Sequence, residues 1–236
     1  MTPIIRLPKD QYERARPLFE PLHYQLAVES MLDGTNPGWL YVDDEIAPTC
    51  GWMVNSEGFF LAGEPTNKQF NTWLKKWFEE YLRHGNADWE SEAVLLFDIS
   101  SDDWISSFPD IFSLRPPLEV NRLHYLCREV RVDWRAILPG GFSVHQLDEH
   151  ILEDDTLEVP DHLRFWVKMN WGTRESYLKH GFGTCIVHEN SIVSYSLADC
   201  VHGDECEIGI QTLEGFRRRG LATVTAAANI ELAFDR

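Results

Sequence analysis

Basic residues are scarce in this sequence. Its 236 residues include 21 Lys and Arg against 38 Asp and Glu, so the formal net charge is −17. Non-specific binding to DNA or RNA depends on Lys and Arg neutralising phosphates, so this balance argues against a nucleic-acid partner. A surface of this sign favours solubility and, weakly, cationic ligands.

Long apolar runs and paired cysteines are also absent. No apolar run approaches the roughly 20 residues that a membrane-spanning helix requires, and the first residues lack the apolar core of a signal peptide. No C-x-x-C pair occurs among the five cysteines, Cys50, Cys127, Cys185, Cys200 and Cys206. We therefore expect a cytoplasmic protein with mostly buried thiols and no membrane partner.

The composition, 44% hydrophobic and 25% charged, is that of a globular chain. Short apolar runs alternate with turn-forming residues and with helical patterns, which predicts an α+β fold with a mixed β-sheet flanked by helices. The Pro139-Gly140-Gly141 segment is the best candidate joint. We therefore expect an N-terminal α/β domain at 1–138 and a second domain at 142–236.

In the N-terminal half, the pattern predicts a meander of three strands, Trp39–Val42, Cys50–Val54 and Phe59–Ala62. A helix follows, which we expect to begin at a capping box of Thr66 and Gln69 and to end at Gly85. Its stripe of large aromatic residues is expected to cover a sheet. Two more strands are predicted, Ala93–Ile99 in a central position and Leu123–Val132.

Beyond the joint, a strand opens at Phe142 and the remaining pattern predicts alternating helices and strands. These are a helix at Leu163–Asn170, strands at Phe182–Val187, Ile192–Ala198 and Cys206–Thr212, and a helix at Leu221–Phe234. The aromatic residues Trp171 and Tyr177 could line a pocket, but core packing is the favoured interpretation.

Two groups of residues could hold a metal, and neither has a defensible spacing. The acidic run from Asp148 to Asp161 fits no calcium loop, so we expect a solvated helix face and loop. A second group matches no structural zinc pattern and is better explained by buried thiols: Cys185, His188, Cys200, His202 and Cys206. No metal site is expected.

The segment that points most clearly to a function consists of a strand, a basic turn and a helix. The strand ends at Thr212, the turn contains Arg217-Arg218-Arg219-Gly220, and the helix starts at Leu221. The free N–H groups of a helix N-terminus favour phosphate, and Gly220 permits close approach of a ligand. Gly215 and Gly220 have the spacing of a Walker A motif, but no Lys-Ser/Thr follows them, so we exclude a P-loop. No G-x-G-x-x-G occurs there either, so the fingerprint of a dinucleotide-binding fold is missing.

Arg217-x-x-Gly220-x-Ala222 resembles the [Q/R]-x-x-G-x-[G/A] signature of the GNAT acyltransferase superfamily. The string from Glu207 to Ile230 is similar to a bacterial subfamily with an N-terminal extension, which includes zwittermicin A resistance protein. The resemblance is strong over 182–236, plausible over 142–181 and weak over 1–130.

The N-terminal half repeats the order of elements without the signature, as a degenerate GNAT-like copy would. It would then serve to cover the sheet, to build the acceptor pocket or to form a homodimer.

The resemblance implies an N-acetyltransferase that moves an acetyl group from acetyl-CoA, its co-substrate, directly to the amine of a small molecule. The strand end would offer backbone groups to pantetheine, and the turn would cradle the pyrophosphate. A backbone N–H near the strand end would polarise the thioester carbonyl. The implied cofactor-binding residues are Ile210, Gln211, Thr212, Arg217, Arg218, Arg219, Gly220, Leu221, Ala222 and Thr223.

The identity of the catalytic base and the function of the protein both stay open at this point. Glu207 is the candidate base, or it is a polar strand residue facing solvent; Asp199 and Glu205 are weaker candidates. A non-catalytic acyl-CoA sensor or an interaction domain are the alternative functions. The family's domain continues beyond the last helix, so for a chain ending at Arg236 the resemblance implies a missing general acid and weak or no activity.

Overall fold

The computed structural model of the chain describes residues 3–84 and 95–236. The chain divides into two units, Met1–Arg122 and Leu123–Arg236, and each is built around its own β-sheet. None of the helices in the described parts of the chain has the length and apolar character needed to span a lipid bilayer.

The first unit contains a five-stranded sheet in the order β1-β2-β3-β4-β5. Its strands are β1 (Ile5–Arg6), β2 (Gly38–Val42), β3 (Cys50–Asn55), β4 (Gly58–Gly63) and β5 (Phe97–Ile99). The sheet is mixed, because β1 to β4 pair antiparallel whereas β5 pairs parallel with β4. Its α-helices are α1 (Arg16–Phe19), α2 (Leu26–Leu32), α3 (Lys68–His84) and α4 (Phe108–Ile111), with 3₁₀ helices at Lys9–Ala15, Glu20–Leu22 and Asp102–Ser107.

The predicted meander and its aromatic helix are confirmed as β2-β3-β4 and α3. Phe70, Leu74 and Phe78 repeat every four residues along α3 and are buried against the sheet. Helices also cover the opposite face, since a Cβ added at Gly51 in β3 would lie 2.9 Å from the ring of Phe19 in α1. Position 51 is therefore a close approach that only glycine allows.

The predicted capping box at the start of α3 is wrong. The Thr66 hydroxyl donates to a Glu64 carboxylate oxygen at 2.6 Å instead of capping the helix with Gln69. The cap is Asn67, whose side-chain oxygen accepts from the Phe70 N–H at 3.0 Å. Asn and Thr are both good N-cap residues, so the choice depended on the turn that precedes them.

The two further strands predicted in this region also need correction. Only Phe97–Ile99 forms a strand, and it is a half-buried edge strand of the described sheet instead of a central one. Residues 93–94 and the expected helix end at Gly85 lie outside the described residues. Leu123–Val132 forms no strand, and Leu123 and Tyr125 are 72% and 85% exposed. An alternating sequence becomes a strand only where a neighbouring strand pairs with it.

The second unit contains a four-stranded antiparallel sheet in the order β6-β7-β8-β9. Its strands are β6 (Phe142–Gln146), β7 (Gly183–His188), β8 (Ser191–His202) and β9 (Glu205–Thr212). Its helices are α5 (Trp134–Ile137), α6 (Glu149–Glu153), α7 (Asp161–Trp171), α8 (Arg174–His180) and α9 (Leu221–Phe234), with a 3₁₀ helix at Glu214–Phe216. The predicted strands and helices of this region are confirmed to within a few residues.

The division between the units falls before the expected joint at Pro139-Gly140-Gly141. The reason is that α5 is tied to the last helix: the Trp134 Nε1–H and the Arg135 guanidinium both donate to the Glu231 carboxylate of α9. Residues 123–141 therefore belong with the second unit.

The two units have the same order of elements. Each runs strand, helices, three antiparallel strands and helix, which is β1 to α3 in the first unit and β6 to α9 in the second. The expected repetition of one α+β fold in both halves is confirmed at this level, although the described second sheet is purely antiparallel.

Candidate functional site

The N-terminus of α9 is open in a way that suits an anion. Gly220 precedes the helix with φ +81°, and no side chain caps the helix there. The first helical hydrogen bond runs from the Val224 N–H to the Gly220 carbonyl at 3.1 Å. The N–H groups of Leu221, Ala222 and Thr223 therefore have no acceptor within the helix and carry the positive end of its dipole.

The basic turn is closed by its own arginines. The Arg217 Nε–H donates to the Thr212 carbonyl at 3.1 Å, and Arg219 donates to the Gly215 carbonyl at 3.2 Å. Arg218 has a left-handed backbone, φ +61°, like Gly220 two residues later. Left-handed residues in such turns orient successive N–H groups toward one point, which makes an anion-binding concavity.

The turn is anchored in a small core on one side and is open to solvent on the other. Leu221 is 1% exposed and packs in a small core with Ile186, Val193 and Val224. A Cβ added at Gly220 would meet no heavy atom within 4 Å. There is therefore room for a ligand at this point, while Arg217 to Gly220, Ala222 and Thr223 are exposed.

Strand β9 leads into this turn and has a free edge in the described sheet, where β8 is its only neighbour. The Leu213 N–H donates to the Val193 carbonyl at 2.9 Å. Because antiparallel ladders alternate, the backbone groups of Ile210 and Thr212 point away from β8, toward the free edge. Gln211 is paired with Tyr195, so its backbone groups point toward β8 instead. The predicted backbone contacts are thus available at Ile210 and at the Thr212 N–H, since the Thr212 carbonyl accepts from Arg217.

One face of β9 lies under α7. A Cβ added at Gly209 would come within 2.1 Å of the Trp166 ring and 2.4 Å of a carboxylate oxygen of Asp199. Side chains alternate along a strand, so Glu207 and Gln211 lie on this same face. Glu207 is half-buried and opposite Cys200 of β8. The candidate base therefore lies on the covered face of the sheet.

Helix α7 brings side chains to this face that sequence reasoning missed. The Nδ1 atom of His162 lies 2.9 Å from the Tyr195 hydroxyl, and Asn170 Nδ2 donates to Asp199. Burial raises the pKa of Tyr195 to about 12, so its hydroxyl is neutral at physiological pH. The spacing of four between His162, Trp166 and Asn170 was the available signal.

Several other sequence candidates lie in or against the core. Trp171 and Tyr177 are 2% and 1% exposed, which confirms the core interpretation. Burial raises the pKa of Cys185 to about 12 and also raises that of Cys206, which keeps both thiols protonated. Within residues 3–84 and 95–236, no group of three or more His, Cys, Asp or Glu side chains could hold a metal ion.

A strand with a free edge, a turn of left-handed residues and an uncapped helix N-terminus follow one another here, in the order that the resemblance to the GNAT acyltransferases predicts. The chain belongs to the GNAT acetyltransferase family, whose model matches residues 16–236.

Related proteins agree with this assignment. The chain is 27% identical over 228 residues to the uncharacterized N-acetyltransferase YdfB of Bacillus subtilis (strain 168), a match that covers 96% of this chain and 82% of the relative. The crystal structure of a GCN5-related N-acetyltransferase-like protein from Streptococcus suis 89/1591 has a TM-score of 0.60 at 20% identity, covering 96% of this chain and 85% of the other.

A second solved structure is a tandem GNAT protein from the clavulanic acid biosynthesis pathway. It has a TM-score of 0.50 at 10% identity and covers 99% of this chain and 86% of the other. Because their sequences are only 20% and 10% identical to this chain, the two solved structures establish its fold and nothing more. Their agreement along the whole chain fits the repeated order of elements in the two units.

Proposed function

We propose that this protein transfers the acetyl group of acetyl-CoA to the amine of a small molecule. Membership of the GNAT acetyltransferase family supports acetyl transfer in general. The observation that carries the proposal is the open N-terminus of α9, set directly after the free edge of β9.

The chain's own groups fit the two parts of acetyl-CoA that must be held. The N–H groups from Arg218 to Thr223 receive the pyrophosphate, with three arginine charges nearby. The outward backbone groups of Ile210 bind an amide of the pantetheine arm, since the Thr212 carbonyl already accepts from Arg217. The Thr212 N–H is then available to the carbonyl oxygen of the thioester, where negative charge develops during attack.

The proposed chemistry is direct transfer between two bound substrates. When bound, acetyl-CoA supplies a thioester whose carbonyl carbon forms a bond to the amine nitrogen while the C–S bond breaks. The Glu207 carboxylate takes the proton from the attacking nitrogen, directly or through a water molecule. The departing sulfur takes a proton from solvent, which balances the reaction.

The binding part of the proposal is tested by calorimetric titration of acetyl-CoA into wild type, Gly220→Ala and Gly215→Ala. Alanine at 220 disfavours the left-handed backbone by roughly 1–2 kcal/mol, so the empty turn relaxes out of its binding conformation and affinity should fall about tenfold. Gly215 lies in the same turn, without a left-handed φ and with open space around it, so it is the matched control. Equal affinities for all three proteins would argue against the turn as the binding site.

The catalytic part is tested by thiol release from acetyl-CoA in the presence of an amine panel. Glu207→Gln should lower turnover at least a hundredfold while acetyl-CoA affinity is kept. Glu189→Gln, at an exposed position in the turn between β7 and β8, is the control. Tight acetyl-CoA binding without thiol release by wild type would favour the non-catalytic sensor instead.

A further inference from the structure

Three side chains on one face of α7 contact the sheet where Glu207 lies. His162, Trp166 and Asn170 are spaced four residues apart, so they stack along the helix. Their partners are Tyr195 of β8 for His162 and Trp166, and Asp199 for Asn170. The ring of Trp166 also lies against Gly209 of β9. This face of the second unit therefore places polar and aromatic groups beside the aliphatic core that contains Leu163, Val167 and Leu197.

A β-bulge puts Asp199 on this face. The register between β8 and β9 shifts between Ala198 and Cys200, so that Ala198 pairs with Ile208 and Cys200 with Glu207. Asp199 is the extra residue. Bulges of this kind redirect a side chain and are frequent beside active sites.

The bulge is held in place by the end of α7. The Trp171 Nε1–H donates to the Ala198 carbonyl at 3.0 Å, and the neighbouring Asn170 donates to the Asp199 carboxylate. Asp199 is 7% exposed and Asn170 is fully buried. Gly209 has no side chain, which lets the carboxylate and the Trp166 ring lie directly on β9. The orientation of Asp199 is thus fixed by the Trp171 bond to its neighbour Ala198, by the bond from Asn170 and by its contact with β9 at Gly209.

We propose that Asp199, positioned by Asn170, binds a cationic group of the acceptor, so that the enzyme selects amines that carry a second positive charge. This inference rests on the proposed function, because it places the acceptor on the face that holds Glu207. The two carboxylates then have separate roles: Glu207 takes the proton of the reacting amine, and Asp199 holds the charged end that does not react.

The physical basis of this selection is the environment of the carboxylate. A carboxylate with little access to water attracts a cation more strongly than one in bulk solvent, and a neutral group cannot replace that cation. The formal net charge of −17 raises the local concentration of cationic acceptors.

The test compares putrescine with n-butylamine, which has the same carbon chain but lacks the second amine. Thiol release should show that wild type prefers putrescine in kcat/KM by about tenfold or more, and that Asp199→Asn lowers the preference to about twofold or less. Asp204→Asn is the control, since Asp204 is an exposed residue of the turn between β8 and β9. It should keep the full preference.

Calorimetric titration of putrescine without acetyl-CoA separates this inference from the proposed function. Binding by wild type and Asp204→Asn, weakened about tenfold in Asp199→Asn, would support the cation site even if no thiol were released. No binding of putrescine by wild type, or equal binding by all three proteins, would overturn the inference. Unchanged acetyl-CoA affinity of Asp199→Asn would show that the variant is folded.

Discussion

The three arginines of the turn differ in what they do. Arg217 and Arg219 donate to carbonyls of their own turn, at Thr212 and Gly215, and therefore hold its shape. Arg218 instead contributes a left-handed backbone, a conformation that glycine adopts without strain. If the turn binds pyrophosphate through backbone N–H groups, the guanidinium of Arg218 is the one that matters least.

This difference gives a prediction for acetyl-CoA affinity. Arg218→Gly relieves left-handed strain of roughly 1 kcal/mol and keeps every backbone donor, so affinity should stay within about threefold of wild type. Arg217→Ala removes the donor that closes the turn and should weaken affinity about tenfold. Calorimetry on both variants checks this, and a larger loss for Arg218→Gly would show that side-chain charge dominates binding.

At the scale of elements, α3 and α9 begin at equivalent places in their units and have different starts. The N-terminus of α3 is capped by the Asn67 side chain, and Glu64 lies in the preceding turn. The N-terminus of α9 has a left-handed glycine and no cap. A capped helix start beside a carboxylate does not favour phosphate, so we place the proposed acyl-CoA site in the second unit alone.

A second element contact makes stability depend on pH. Hydrogen bonds from Arg135 and then Trp134 lower the pKa of Glu231 to about 2, which ties α5 to α9. Because the folded pKa is below the ordinary value near 4.5, the stabilisation is present above that pH and is lost as the pH falls toward 2.

Thermal unfolding of wild type and Glu231→Gln should show this difference. The wild type should have the higher Tm at pH 7, and the gap should hold down to about pH 5 and close toward pH 2. Asp235→Asn, a charge removed near the same helix end, is the control. A gap that does not change with pH would contradict the role of the Glu231 carboxylate.

At the scale of the whole molecule, the segment on either side of the division between the two units is exposed. Residues 113–131 contain no helix or strand, and their apolar side chains include Leu118 and Tyr125, which are 87% and 85% exposed. Proteases need several residues of extended chain, so this segment is the expected site of first cleavage.

Limited trypsin digestion followed by intact-mass analysis checks the division into units. The first cuts should follow Arg122, Arg128 or Arg131 and release two fragments with the masses of the two units. Lys168 and Lys179 are also exposed but lie within α7 and α8, so they should resist. First cleavage inside either helix would contradict the assignment.

Particular elements and residues show which features of the fold could be predicted from the sequence. The hairpin of β7 and β8, the strand β9 and the bounds of α9 were predicted, because hydrophobic period and turn residues are local signals. The wrong cap at Thr66 and the wrong strand at Leu123–Val132 failed for another reason. Each depended on which neighbour was present to accept a hydrogen bond, and a single sequence does not contain that information.

The amino-acid sequence by itself determined the chemical character of the turn that we propose to bind acyl-CoA. Gly220, the arginines and the alanine-rich helix are contiguous, so their conformations follow from local geometry. Only the tertiary structure decided the face on which we propose that the acceptor binds. Asn170, Asp199 and Gly209 meet there through a bulge and a helix packed across the sheet, because side chains far apart in sequence come together only when long-range strand pairing is complete.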